Sequence, residues 1–254
     1  MPRSSLTLLL IAILLGSPTV VSSQDDTGAS IPTVKHLIDT HIHLYDTNRA
    51  VYDVDAEQRV SWPPSDDQVL HKPHLPKEYS SVARAAGVTG VVVVEASPRI
   101  DDNRWVLDLV NDDRFYVGLV GNIDPFGNGF TEALDLYRSD PRFVGIRAHF
   151  MNNPEGFSSD PQLLANLRLL SDAGLALDVL MNGEGADTID EVTNIAKEIP
   201  SLRIVVNHVL GYDIDGNTPG PPWIMAVGRL AAQPNVSIKV SGLYQRSKTQ
   251  PAPQ

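Results

Sequence analysis

Cysteine is absent from this chain of 254 residues, so no disulfide can form and no thiolate can serve as nucleophile or metal ligand. Chemistry must rest on imidazole, carboxylate, hydroxyl and cationic side chains, and stability on a hydrophobic core. Positive charge is scarce: 20 Lys and Arg face 31 Asp and Glu, a formal net charge of −11. Nucleic acid and anionic membrane both require clustered basic residues, so a chain of this balance is matched to neither. After residue 23 no apolar run approaches the roughly 18 residues needed to span a bilayer. No Gly-x-Gly-x-x-Gly follows the first strand-like run, which removes support for a dinucleotide-binding sheet.

The N-terminus stands apart. Arg3 precedes an unbroken apolar stretch over residues 8–15, then Gly16, Pro18 and the small residues of Val21-Ser22-Ser23. That layout predicts a secretory signal peptide over residues 1–23, cleaved after Ser23, and a secreted protein. Residues 24–33 are small and polar and are expected to form a disordered lead-in. One glycosylation sequon, Asn235-Val236-Ser237, abuts a strand assigned to the core, which argues against its use.

Beyond residue 34 the chain alternates. Apolar runs occupy residues 36–44, 90–96, 115–123, 144–150, 175–181, 203–209 and 236–243. Amphipathic stretches at 75–86, 103–110, 131–138, 161–173, 188–199 and 222–232 separate them. Asp160-Pro161 is a helix start with Asp at the cap and Pro at the first helical position, and Gly87 and Gly174 stand where helices stop. Near-continuous apolar strands joined by helices mean a parallel sheet covered on both faces. The polar residues His41, His43, Glu95, Asn122, Asp124, Arg147, His149, Asp178, His208 and Ser241 collect at the C-terminal ends of the runs, where (β/α)₈ barrels carry their sites. The long first loop, between Asp46 and Pro76 with Trp62-Pro63-Pro64 inside it, has the length of a lid or binding loop.

The most informative stretch is Asp39-Thr40-His41-Ile42-His43. On a strand, Asp39, His41 and His43 share one face and Ile38, Ile42 and Leu44 the other. Two imidazoles aimed into one space are half of a metal or substrate site. His208, ending Ile-Val-Val-Asn-His, supplies a third from across the sheet, while Asn207 points the opposite way and reads as structural. Glu95 follows four valines, a placement that packing does not explain. Arg147 is a fixed cation suited either to a substrate carboxylate or lactone oxygen, or to an ion pair with Glu95 or Asp178. Asp178 either accepts from a ligand, orients a histidine or forms a structural ion pair. His149 and Ser241 are candidates to line the substrate, with Gly242 permitting close backbone approach.

Taken in order, Ile38-Asp39-Thr40-His41-Ile42-His43-Leu44, Val94-Glu95-Ala96, Gly145-Ile146-Arg147, Asn207-His208-Val209-Leu210-Gly211 and Lys239-Val240-Ser241-Gly242-Leu243 resemble the amidohydrolase superfamily. The branch is the amidohydrolase-related one, with L-fuconolactonase-like and 2-pyrone-4,6-dicarboxylate lactonase-like enzymes. The resemblance implies a distorted (β/α)₈ barrel over residues 34–243 and water attack on a lactone or similar small-molecule carbonyl. It carries His41, His43 and His208 over as the set around a divalent metal, zinc or manganese, or around the substrate carbonyl in branch members that use no metal. His208, Arg147, Glu95 and Asp178 are then the catalytic candidates, and Arg147, His149 and Ser241 the substrate contacts. The same scaffold supports zinc-dependent decarboxylation, and a catalytically inactive secreted homologue is a third alternative. The family's eighth strand, ending in the Asp that activates water, has no counterpart here. Residues 244–254 read as a polar tail, so the barrel is expected to be incomplete at seven strands, with Asp213 or Asp215 as remote substitutes for the missing base.

Overall fold

Short β-branched runs separated by amphipathic helices produce one parallel sheet. The computed structural model describes residues 35–52, 60–149, 156–181 and 185–247. The expected leader and lead-in lie outside the described residues, as do positions 248–254 of the expected tail. The strands are β1 (Ile38–Ile42), β2 (Gly90–Val94), β3 (Tyr116–Gly121), β4 (Phe143–His149), β5 (Ala176–Leu180), β6 (Arg203–Val206) and β7 (Val236–Ile238). The helices are α1 (Pro76–Ala85), α2 (Asp101–Leu109), α3 (Phe130–Tyr137), α4 (Pro161–Asp172), α5 (Ala186–Glu198), α6 (Pro221–Ala231) and a single turn, α7 (Leu243–Arg246). Each of the first six strand–helix pairs falls on a run and an amphipathic stretch legible in the sequence.

The strands pair in chain order, β1 to β7, all parallel. The sheet curls as an incomplete (β/α)₈ barrel, and among the described residues no pairing joins β7 back to β1. The core lies between sheet and helices, where Val91, Leu107, Leu167, Leu177, Ile195 and Ile204 are fully shielded. At α4 the start signal operates as read: the Asp160 carboxylate accepts from the backbone N–H groups of Gln162 and Leu163, at 2.8 and 3.2 Å. Among the described residues no helix is long and apolar enough to cross a membrane. The Asn235 side chain of the sequon is turned inward, donating to the carbonyls of Ala196, Ile199 and Leu202.

Two local features bear on the sequence reading. α7 begins at Leu243 and takes in residues 244–246 of the anticipated polar tail. Its Arg246 donates to the Gly211 carbonyl at 3.0 Å and its own carbonyl accepts from Ile214 N–H at 2.8 Å, so this turn closes the loop after β6. Strict alternation also fails in β1, whose register against β2 shifts between Asp39 and Ile42.

At Gly145 the backbone of β5 leaves no room for a side chain on β4. Gly145 pairs with Ala176, and a Cβ there would lie 2.5 Å from the Ala176 carbonyl oxygen. Gly145→Ala is expected to lower stability by about 1–3 kcal/mol, because backbone rather than a flexible side chain must move. Chemical denaturation of the variant against the parent measures it, and equal midpoints would contradict this strand pairing.

Candidate active site

Parallel strands deliver their C-terminal ends to one rim, and that geometry gathers residues far apart in sequence. His41 and His43 come from the end of β1, Glu95 from the residue after β2, Arg147 and His149 from β4, and Asp178 from β5. Asn207 and His208 follow β6, and Lys239 and Ser241 follow β7. The three imidazoles meet: the His41 ring centre lies 5.1 Å from that of His43 and 4.4 Å from that of His208.

Arg147 is the hub. Its side chain is 5% exposed, and its guanidinium donates through Nε and Nη2 to Asn207 Oδ1 at 3.0 and 2.8 Å. Nη2 also donates to His41 Nε2 at 2.8 Å, and Nη1 lies 3.5 Å from Glu95 Oε1. Glu95 Oε1 in turn meets His149 Nε2 at 2.9 Å. A second ion pair sits beside the first: Lys239 Nζ donates to Asp178 Oδ2 at 2.6 Å, and Asn207 Nδ2 reaches the same oxygen at 3.0 Å. Asn207 thus accepts from the arginine and donates to the aspartate, joining both pairs in one network.

His43 is held by its Nδ1, which lies 3.0 Å from the carbonyls of both Val94 and Glu95. Carbonyls only accept, so Nδ1 carries the proton and Nε2 keeps its lone pair. His208 stands on an unusual turn. His208, Val209 and Leu210 all have left-handed backbones, with φ of 50°, 47° and 59°. For a β-branched residue such as Val209 this is strained. Backbone bonds hold the turn, with Val209 N–H donating to the Lys239 carbonyl at 3.0 Å and Leu210 N–H to the Asn207 carbonyl at 3.1 Å. The ring then meets Ser241 Oγ through Nδ1 at 2.9 Å and rests on Gly242, where a Cβ would come within 3.2 Å of ring atoms.

Electrostatics follow from this packing. Burial, then the charges of Arg147 and Lys239, hold His41 far below the usual imidazole range. Burial and Arg147 lower His43 to about 4, against the opposing bond from its own ring to the Val94 carbonyl. Burial followed by Arg147 also brings His208 to about 4. All three are therefore neutral at ordinary pH. Burial alone would raise Glu95, but the His149 bond and Arg147 outweigh it and its pKa falls below the usual carboxylate value. Burial lowers Lys239, with Asp178 opposing.

A divalent metal does not fit the residues present. His41 Nε2 would have to give its lone pair to the ion, yet it accepts from a guanidinium at 2.8 Å, and Lys239 Nζ stands 3.4 Å from the other ring nitrogen. Glu95 and Asp178 are each already paired with a cation. Among the described residues no group of three or more His, Asp or Glu side chains could hold a metal ion. The expectation for His41, His43 and His208 held two alternatives, a divalent metal or the substrate carbonyl, and in this arrangement the His41 Nε2 lone pair is engaged by Arg147. The imidazoles converge, and a buried guanidinium donates to one of them, His41.

Other expected residues do local work. The Asp39 carboxylate accepts from the Tyr79 hydroxyl of α1 at 2.5 Å and from the His41 backbone N–H at 3.1 Å, so it does not join the imidazoles through its side chain. The β1 register shift is why period-two reasoning misplaced it. Asn122 ties its amide to the Pro98 carbonyl, and Asp124 caps the Phe126 N–H. Asp215 accepts twice from Asn217 in its own loop. Asn207, read as structural, is fully buried between Arg147 and Asp178, and Lys239, which the sequence offered only inside a resembling motif, completes the second ion pair.

The described parts of the first loop wall one side. Tyr45 and His74 exchange backbone hydrogen bonds at 3.1 and 2.8 Å, closing the loop's base. Trp62 packs edgewise on His43 and on Tyr45, with ring centres 5.1 and 5.0 Å away.

Against known proteins, a family model described as Amidohydrolase matches residues 38–254. An L-fucono-1,5-lactonase of Burkholderia ambifaria is 26% identical over 215 residues, covering 84% of this chain and 70% of that protein. A solved amidohydrolase from Burkholderia multivorans with bound zinc superposes with TM-score 0.71 at 21% identity, covering 84% of this chain and 72% of its own. A probable 2-pyrone-4,6-dicarboxylic acid hydrolase of Acinetobacter baumannii with citric acid bound gives TM-score 0.61 at 16% identity, with coverages of 84% and 72%.

The histidine shifts predict the pH dependence of stability. The unfolded chain takes up imidazole protons near pH 6.5, whereas the folded site resists until about 4 for His43 and His208. The unfolded state thus binds more protons in that window, so stability is full above about pH 6.5 and declines as pH falls toward about 4. Denaturation midpoints measured from pH 7 down to pH 4.5 should drop, and His43→Gln should flatten part of the slope. Asn207→Ala should destabilise by about 1–3 kcal/mol at neutral pH by leaving buried charged partners short of a bond, read as a lower thermal midpoint.

Proposed function

The chain belongs to the amidohydrolase family, and from that premise we propose that it hydrolyses the ring ester of an uncharged, polyhydroxylated lactone. The observation that carries this reading is the trio of neutral imidazoles beside the buried Arg147 charge. A neutral imidazole accepts a proton, and the positive potential that keeps it neutral also favours negative charge developing on a carbonyl oxygen.

The steps use this chain's own groups. Water attacks the lactone carbonyl and its proton passes to the imidazole of His208, which the left-handed turn and Ser241 hold at the rim. The oxyanion forms within the field of Arg147 and Lys239. Collapse of the tetrahedral intermediate breaks the bond to the ring oxygen, which leaves with the proton returned by His208, giving an open-chain hydroxy acid. His43 offers the second available lone pair, at Nε2, as a hydrogen-bond acceptor for water or a substrate hydroxyl.

Charge supports an uncharged substrate. Arg147 and Lys239 are matched by Glu95 and Asp178, and the guanidinium donors point at Asn207, His41 and Glu95. Each cation of these two ion pairs already has its carboxylate, which favours the sugar-lactone class of the Burkholderia ambifaria relative over a dicarboxylate. No step runs through a metal: His41 Nε2, Glu95 and Asp178 are each engaged with a cation. The apolar run at 8–15 followed by Val21-Ser22-Ser23 supports a place outside the cell for this activity.

A panel of neutral sugar lactones and anionic pyrones, followed by acid release, tests the reading. Sugar lactones should turn over, and hydrolysis confined to the dicarboxylates would overturn it. His208→Ala should cut kcat/KM by about 10²–10⁴-fold with the fold intact. The parent's kcat/KM should hold steady as pH falls to about 5 and drop only near the imidazole value of about 4. A chelator should leave turnover unchanged.

A further inference from the structure

We propose that Trp62 is the stacking platform on which the substrate ring lies, making it a specificity-determining residue for rings with a polarised C–H face. This deepens the lactone reading and rests on it. Trp62 is 36% exposed, whereas the Tyr45 ring that supports it is 4% exposed. An indole left open on a loop costs hydration unless something covers it, and here the loop is braced on both sides of it. Upstream of the loop, the Tyr45 backbone is tied to His74 and its hydroxyl donates to the Leu70 carbonyl at 2.9 Å. Next to Trp62, the Pro63 carbonyl meets His71 Nδ1 at 3.2 Å. Tyr45 also packs against the His74 ring at 4.9 Å.

The indole is thus packed against two rings and still keeps about a third of its surface open. One of the two rings is His43, which places the indole at the edge of the imidazole cluster. The electron-rich indole face attracts hydrogens on carbons that carry hydroxyls, and hydroxyls at the ring's edge can reach polar groups of the rim. A saturated polyhydroxylated lactone satisfies both requirements. A planar dicarboxylate would also stack, but it brings two charges that the balanced ion pairs do not meet.

The test compares Trp62→Phe, which keeps an aromatic face, with Trp62→Leu, which keeps apolar bulk without one. Two readouts are taken: steady-state hydrolysis of a sugar 1,5-lactone, and calorimetric binding of the corresponding polyhydroxylated lactam. Trp62→Leu should raise KM and weaken lactam binding by roughly tenfold or more, with kcat little changed, since stacking is present before and during the reaction. Trp62→Phe should stay within about threefold of the parent on both. If the Leu and Phe variants match each other, or if kcat falls while KM holds, the platform is refuted. If the parent binds the lactam through Trp62 yet hydrolyses no lactone, the platform stands and the lactonase reading fails. If lactones are hydrolysed but the lactam does not bind, the platform fails and the lactonase reading stands. If the lactam does not bind and no lactone is hydrolysed, both fail.

Discussion

Everything at the rim of this sheet depends on one buried guanidinium. Removing Arg147 from water is costly, and the cost is met only because partners arrive from three separate strand ends: His41 from β1, Glu95 after β2 and Asn207 after β6. Two of these partners are in turn fixed by another group: Glu95 by His149, and Asn207 by Asp178 with its Lys239. Loss of a single member leaves a charge buried without compensation, so the network enforces the relative positions of strands that the sheet's own ladder connects only neighbour to neighbour.

The same charge that ties the strands together sets the chemistry. Three imidazoles at the ends of two separate strand-like runs suggest a metal when read from sequence, because neutral imidazole is a good ligand. With a guanidinium against His41 and an ammonium beside it, the region is electropositive. A second cation is disfavoured there, protonation of the imidazoles is suppressed, and anionic intermediates are favoured. The neutral state of the imidazoles and oxyanion stabilisation therefore have one origin, and ester hydrolysis uses both.

The fold was almost entirely legible. Seven apolar runs became seven strands, and six amphipathic stretches became six helices, because both periodicities are local and strong. The convergence of His41, His43 and His208 could also be read, since parallel strands send their ends to a common rim. The direction of Asn207 lies beyond the reach of alternation, because the strand stops at Val206 and the following left-handed turn redirects what comes next. Alternation failed for Asp39 at the β1 register shift. Lys239 was missed because its long side chain carries its charge well away from its backbone, and no sequence period records such a reach.

That reach also explains how the site tolerates an open sheet. Among the described residues β7 and β1 share no ladder, yet Lys239 Nζ lies 3.3 Å from the Thr40 carbonyl of β1 while holding Asp178 of β5. One flexible side chain spans the interval that backbone pairing does not close. Its ammonium is kept there by Asp178, which Asn207 fixes, and Asn207 takes its place from Arg147. The guanidinium network therefore reaches across the opening as well as along the paired strands. That is why the imidazoles of β1 and of the turn after β6, separated by the gap in the ladder, still face each other within 4.4 Å.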